Sequence, residues 1–420
     1  MKLLKTYNDK AVWRGGFLLI LLLTLVAPNF PTIMGTEVYI NFAYGFLGVV
    51  VLLIRAVPLQ KSEATIVCFY FALQLLLLGS WFMDIVSGAT SFGAIGSALR
   101  PVLLALTPLT FFYFYQKQDL HPSVFLSLFL KISLIITFVY FIADYLNLVD
   151  SLKAFLWVSE KLMNYEYFIS FFAVTYLAAY FYFICYLYFL VRLLFVFNLS
   201  NLFFTCLSVL LLIFVQSKTF YFLIIVSIPF VWAVKGKSIA KVASLAVFGT
   251  FLLAFGLYFE DIVILLSDGG LLGLRSLGRF IDDPAGGGSF TVRIEQILMA
   301  VNMSLNNFGF GVGLGRGEVM LESYSASFIY RYGVIGFVIY SLFFIFMSVY
   351  SYILYRRSDF LEDKILYVFC SCWYFVLPVS MFSNPMYEMG KNAIFSSLIL
   401  ASFLCQMRSS SARYYKYSEI

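Results

Sequence analysis

Long apolar runs alternate with short polar segments along almost the whole chain. About 20 helical residues cross a bilayer core that is roughly 30 Å thick. By that measure the sequence predicts an all-α polytopic membrane protein in which residues 1–420 form one integral membrane domain with twelve spans. The predicted spans are 14–33, 37–54, 63–83, 99–115, 124–146, 167–191, 200–216, 219–234, 242–259, 325–354, 365–383 and 392–407.

The polar segments between these runs differ greatly in length. The seventh and eighth runs are separated only by Ser217 and Lys218, so they fit either two short helices or one broken helix. The ninth and tenth runs are separated by a long polar segment, residues 260–324, which we interpret as one large loop.

The composition supports a membrane location. Hydrophobic residues make up 62% of the chain, charged residues only 12%, and the mean hydropathy is +0.93. A soluble domain has roughly a quarter charged residues, so a soluble fold of this size is excluded. All six cysteines fall within apolar spans, and we predict no disulfide between them.

The distribution of positive charge predicts the orientation. With the N-terminus in the cytoplasm, eighteen of the 28 Lys and Arg residues lie at cytoplasmic ends, as the positive-inside rule requires. An even number of spans returns the C-terminus to the cytoplasm. Because the net charge of +6 is sorted by loop, we do not read it as a sign of nucleic-acid binding.

The 260–324 loop is the exception to this sorting, since it carries positive charge on the exterior side. Twelve of the chain's 27 glycines lie between Asp261 and Ser325. The same stretch carries four arginines: Arg275, Arg279, Arg293 and Arg316. Backbone freedom and positive charge coincide nowhere else in the sequence, so any chemistry is expected here.

Arg293 stands at the start of a predicted amphipathic helix. Ser289 or Thr291 can cap that helix, and Ile294, Ile297, Leu298, Val301 and Leu305 recur at helical spacing. One face is therefore apolar and suited to lie on the membrane surface. An arginine beside a helix N-terminus suits phosphate, but an interfacial arginine that touches lipid headgroups fits equally well.

Glycine alternates with other residues after this helix, at Gly309, Gly311, Gly313, Gly315 and Gly317. Such spacing lets backbone amides approach a ligand closely, and it also fits a flexible lead-in to the next helix. The pattern is not G-x-G-x-x-G after a strand, which argues against a nucleotide site.

Two further residues are candidates for chemistry at the exterior surface. Glu322 precedes the tenth span, where it is either a general base or an ordinary headgroup-level acid paired with Arg331. Lys218 is either a second phosphate ligand or a lysine that extends to the interface. Asp282 and Asp283 have no histidine nearby in the sequence, so we predict a solvated turn rather than a metal site.

Together these segments resemble the O-antigen polymerase and ligase family of membrane glycosyltransferases. The resemblance covers roughly Gln216–Tyr340 and consists of Ser217 with Lys218, then Arg293, then the glycine phrase from Asn307 to Gly315. In the ligase branch a His-Asn pair lies eleven residues before a Gly-x-x-Gly. Glu322 and Ser323 stand at that position before Gly333, which favours the polymerase branch.

The resemblance implies a glycosyltransferase C-like fold and a multi-pass enzyme of the bacterial inner membrane. Its substrates would be polyprenyl-diphosphate-linked oligosaccharides, with no cofactor, metal or nucleotide sugar. Expected partners are membrane lipids, a chain-length regulator membrane protein and a flippase. Glu322 would take the acceptor proton. Arg293 and Lys218 would bind diphosphate with Arg275, Arg279, Arg316, Gly311, Gly313 and Gly315.

Two other functions fit twelve spans. A lipid-linked oligosaccharide flippase has no need of a large glycine- and arginine-rich loop, and it requires charged residues in mid-membrane, where these spans have almost none. An O-antigen ligase would need the missing histidine. The sequence therefore favours a polymerase over both.

Overall fold

The computed structural model describes residues 2–27, 38–54, 58–86, 95–117, 120–149, 170–172, 175–215, 217–235, 289–311, 323–380 and 390–418. These residues form helices and no strand. The helices are α1 Lys2–Val26, α2 Val38–Leu53, α3 Lys61–Val86, α4 Ile95–Lys117, α5 Pro122–Tyr145, α6 Thr175–Phe195, α7 Leu199–Val215, α8 Lys218–Lys235, α9 Ser289–Asn306, α10 Tyr324–Arg357, α11 Leu361–Ser380 and α12 Gly390–Ser418.

Most predicted spans coincide with a helix. Every described helix except α9 overlaps one of them, and α9 is the amphipathic helix predicted to follow Ser289. The seventh and eighth runs form two helices, α7 and α8, that end and begin on either side of Ser217. The predicted span 242–259 and most of the 260–324 loop lie outside the described residues.

The helices indicate a membrane protein. Three segments in the described part of the chain are long and apolar enough to cross a bilayer: α5, α6 and residues 325–357 of α10. Shorter apolar helices occur within α1, α2, α7 and α8. The all-helical class is therefore confirmed, while twelve crossings remain a prediction.

The outer surface of α10 shows where lipid would contact the protein. Exposed apolar side chains follow one another along it at spacings of one to four residues from Ile335 to Ile353, and they include Leu342 and Phe346. At 1.5 Å per residue this stripe is about 27 Å long, close to the thickness of a bilayer core. Since α10 has 34 residues, its first part, Tyr324 to Tyr332, extends beyond the stripe.

Helix α6 forms the centre of the bundle. Every residue from Leu177 to Val191 is buried, as expected for a helix that is apolar on all sides. Its tyrosine hydroxyls form hydrogen bonds with neighbouring helices. Tyr180 lies 2.8 Å from Ser396 Oγ of α12, and Tyr186 donates to the carbonyl of Ile224 in α8 at 3.2 Å. These bonds satisfy polar groups that lipid could not.

Polar side chains join three helix ends on one side of the bundle. Arg192, near the end of α6, makes two hydrogen bonds of 2.9 Å to the Glu362 carboxylate at the start of α11. Glu362 also accepts a bond from Ser123 of α5 at 2.8 Å. His121 contacts the buried Asp363 at 2.9 Å, and its Nδ1 accepts from the backbone N–H of Ser123. The only histidine is thus part of this network, consistent with a structural role.

A buried lysine at the start of α12 joins separate segments of the chain. Lys391 is 5% exposed, and its Nζ donates to the carbonyls of Leu25 and Phe171 at 2.7 and 2.6 Å. The ammonium also lies 5.6 Å from the centre of the Phe172 ring. Because Leu25 lies in the last turn of α1 and Phe171 precedes α6, Lys391 connects three parts of the chain.

Replacement of this lysine should destabilise the protein. Lys391→Met removes charge-assisted bonds from two buried carbonyls, which should cost roughly 2–4 kcal/mol. Thermal unfolding in detergent can be followed with a thiol-reactive dye in a Cys68→Ser, Cys206→Ser background, because the other cysteines are buried until the bundle opens. The control is Lys61→Met at an exposed helix start, and equal unfolding midpoints for the two variants would contradict the assignment.

Candidate functional site

The candidate site is the junction between α9 and the first part of α10. Gln296 accepts a hydrogen bond from the backbone N–H of Ser323 at 3.3 Å. Further along, the Ser304 hydroxyl accepts from the N–H of Val334 at 2.9 Å. Both helices advance in the same direction between these contacts, so α9 runs beside the part of α10 that extends beyond the apolar stripe.

An apolar contact fills the space between the two helices. Ala300 of α9 packs against Ala326 and Ile329 of α10, with Ile297 and Val301 at its edge. The predicted apolar face is therefore divided. Ile297 and Val301 turn towards α10, whereas Ile294, Leu298 and Leu305 are exposed. Helix α10 therefore covers part of the predicted apolar face, and the placement of the exposed part on the membrane surface stays a prediction.

Helix α10 is interrupted at Gly333, which the sequence pattern did not predict. Gly333 has φ 77° and ψ 174°, and the chain is helical on both sides of it. This backbone region is essentially restricted to glycine. The interruption lies directly before Ile335, where the exposed apolar stripe begins.

Groups from α9 and its C-terminal turn replace the hydrogen bonds lost at this break. The N–H of Val334 donates to Ser304, and the N–H of Ile335 donates to the Gly309 carbonyl at 3.3 Å. A backbone break near lipid is tolerated only where such partners exist. The α9–α10 contact is thus required by the break itself.

Two glycines of the alternating run lie against the break. A side chain at Gly311 would meet the carbonyl of Arg331, and one at Gly333 would meet the carbonyl of Gly309. Gly309 itself has φ 83°. Close backbone packing therefore accounts for glycine at these positions. This differs from the ligand approach proposed for Gly311 from the sequence, and it leaves that proposal untested.

Arg293 is the one predicted catalytic residue whose side chain the structure describes. It is the fifth residue of α9, which begins at Ser289, one of the two residues predicted to cap it, and it is partly buried. Gln296, which bonds to Ser323, is three residues further along, on the same side of the helix. Ser323 caps α10 and directly follows Glu322 in the sequence. The contact therefore brings the helix of Arg293 beside the start of α10.

The structure does not describe the side chains of most other predicted site residues. Lys218 begins α8, but only its backbone belongs to the described part of the chain. Six further residues fall outside the described ranges: Glu322, Arg275, Arg279, Arg316, Gly313 and Gly315. Among the residues that are described, no group of three His, Cys, Asp or Glu side chains could hold a metal ion.

Sequence reasoning missed Ser304, Gln296 and Gly333. The serine and glutamine lie on an amphipathic helix, where polar residues are usually taken as solvent-facing. A glycine two positions after Arg331, inside an apolar run, was the only available sign of the break. The arrangement can hold charged and polar groups at a hydrogen-bonded helix junction outside the apolar stripe.

The fold and the junction define an all-helical membrane protein in which the amphipathic helix α9 packs against the interrupted helix α10. Comparison with known proteins adds no family to this class. No protein-family model matches the chain, and no curated protein matches it either.

Alanine at the break should disturb the junction. Gly333→Ala forces a side chain into a glycine-only region and against the Gly309 carbonyl, which should cost about 1–3 kcal/mol. The control is Gly79→Ala in α3, where a side chain meets open space, and this variant should be neutral or slightly stabilising. Thermal midpoints in detergent give the comparison. A Gly333→Ala midpoint equal to that of Gly79→Ala would contradict the described break.

Proposed function

We propose that this protein polymerises polyprenyl-diphosphate-linked oligosaccharide repeats into surface polysaccharide at the exterior face of a bacterial inner membrane. The observation that carries the proposal is the Gln296–Ser323 bond, which joins the helix of Arg293 to the residue after Glu322. Two segments singled out independently by their sequence are thereby neighbours in space.

The proposed reaction is a glycosyl transfer. The hydroxyl oxygen of the acceptor repeat forms a bond to the anomeric carbon of the growing chain. The bond between that carbon and the diphosphate oxygen breaks, and the lipid diphosphate leaves with the electron pair. Glu322 takes the acceptor proton. Arg293 stabilises the negative charge that develops on the leaving diphosphate, with help from Lys218, Arg275, Arg279, Arg316 and the glycine amides.

The geometry supports a site at the membrane surface. The start of α10, beside which α9 packs, extends beyond the apolar stripe, as a site beside the membrane would require. A polyprenyl diphosphate holds its charged group at the surface while its tail remains in the lipid. The positive-charge bias supports the exterior side, with both termini in the cytoplasm.

The distribution of buried charge supports an enzyme over a flippase. Within the described residues, the buried charged side chains are Glu63, Asp363 and Lys391. Each lies in the first turn of its helix rather than in mid-span. A flippase that moves a charged headgroup through a bundle would need such groups along its path.

Loss of the proposed diphosphate ligand should abolish polymerisation. In a strain that lacks this protein, gels of surface polysaccharide should show the core with one repeat, and the wild-type chain should restore the ladder. Arg293→Ala should reduce the rate on the order of 10² or more, the scale of one lost oxyanion donor. Arg293→Lys should restore the rate only partly, because an ammonium cannot make a bidentate contact with phosphate.

The control for this test is Arg100→Ala, which removes an arginine near the start of α4, away from the α9–α10 junction. A deletion strain that leaves bare core instead of one repeat would indicate a ligase or flippase. A full ladder with Arg293→Ala would show that the arginine only touches lipid headgroups.

Replacement of the proposed base should give a similar defect for a different reason. Glu322→Gln keeps the size of the side chain but cannot accept a proton, and general-base catalysis typically contributes 10²–10⁴-fold. The variant should insert normally and yield few or no polymer bands, whereas Glu318→Gln in the same loop should give a full ladder. If Glu322→Gln polymerises normally while Arg293→Ala does not, the proton leaves by another route.

A further inference from the structure

Two phenylalanines in the turn that follows α9 stand out among the exposed apolar side chains. Phe308 is 89% exposed, the highest value for a large apolar residue in the described part of the chain, and Phe310 is 61% exposed. Neither belongs to the apolar contact between α9 and α10. Neither has a part in the proposed glycosyl transfer.

The turn that carries these side chains is held by hydrogen bonds. The N–H of Gly309 donates to the Ser304 carbonyl at 2.7 Å, and the N–H of Phe310 donates to the Asn307 carbonyl at 2.9 Å. The Asn307 side chain in turn donates to the Gly311 carbonyl at 2.8 Å. Phe308 adopts φ 54°, a left-handed conformation that a bulky residue rarely takes. The two rings are therefore carried by a turn whose backbone is held by hydrogen bonds.

The turn lies at the edge of the lipid-facing stripe. The Gly309 carbonyl accepts from the N–H of Ile335, and the end of the Ile335 side chain lies against Gly309. Ile335 is the first exposed residue of the apolar stripe on α10, which continues through Val338 and Leu342. The exposed surface of the turn is thus continuous with a surface that faces acyl chains.

We propose that Phe308 and Phe310 insert into the outer edge of the acyl-chain region and fix the depth of the α9–α10 junction in the membrane. Apolar rings with this exposure are unfavourable in water, and phenylalanine is among the side chains that favour insertion into the apolar part of a membrane. Continuity with the stripe on α10 identifies the occupant as phospholipid rather than a protein partner. The inference does not depend on the reaction assigned to the site.

Spin labels can locate these residues relative to lipid. Nitroxides are attached one at a time to Phe308→Cys, Asn302→Cys and Val338→Cys in the full chain, reconstituted in phospholipid vesicles. The background carries Cys68→Ser and Cys206→Ser, since the other four cysteines are buried. Collisions with oxygen, which concentrates in lipid, are compared with collisions with a water-soluble nickel complex.

The label at 308 should resemble the one at 338, with several-fold more oxygen than nickel collisions. The label at 302, an exposed position in α9, should show the reverse. A label at 308 that is as accessible to nickel as the one at 302 would place the turn in water. A label at 308 shielded from both reagents would mean that protein covers it, and either result would overturn the proposal.

Discussion

The structure depends on one constraint, which is that a helix broken beside lipid must find new partners for its backbone groups. In α10 the break at Gly333 removes the usual acceptors of the next N–H groups. Ser304 and the Gly309 carbonyl replace them. Because lipid offers no hydrogen bonds, this demand fixes α9 against α10 more firmly than apolar contact alone could. The glycines on both sides of the contact make the required approach possible.

The break also divides α10 into two parts with different surroundings. After Gly333 the helix presents an apolar stripe of bilayer length, and before it the helix is accompanied by α9. The rest of the bundle is anchored separately. Tyrosines of α6 bind α8 and α12, and the Arg192–Glu362 pair joins helix ends. Among the described helices α9 packs chiefly on α10, so their junction lies at the margin of the bundle.

The periodicity of the sequence predicted the helices well because lipid and core both select apolar side chains. It identified α9 from five apolar residues at helical spacing. It could not predict the break, since Gly333 lies in an apolar run that suits an uninterrupted helix. The acceptor that makes the break tolerable, Ser304, is almost thirty residues away and looks like an ordinary polar position. Likewise, nothing in the sequence pattern indicated that Arg192 would bind Glu362, which is 170 residues away.

The central claim is that the α9–α10 junction and its arginine-rich loop lie on the exterior side, where lipid-linked sugars are joined. Its most direct test is a set of fusions to a reporter enzyme that is active only outside the cytoplasm. A fusion after Pro284 should be active, and fusions after Lys237 and Arg357 should be inactive. An inactive fusion at Pro284, with the protein present at normal levels, would place the loop in the cytoplasm and contradict the account.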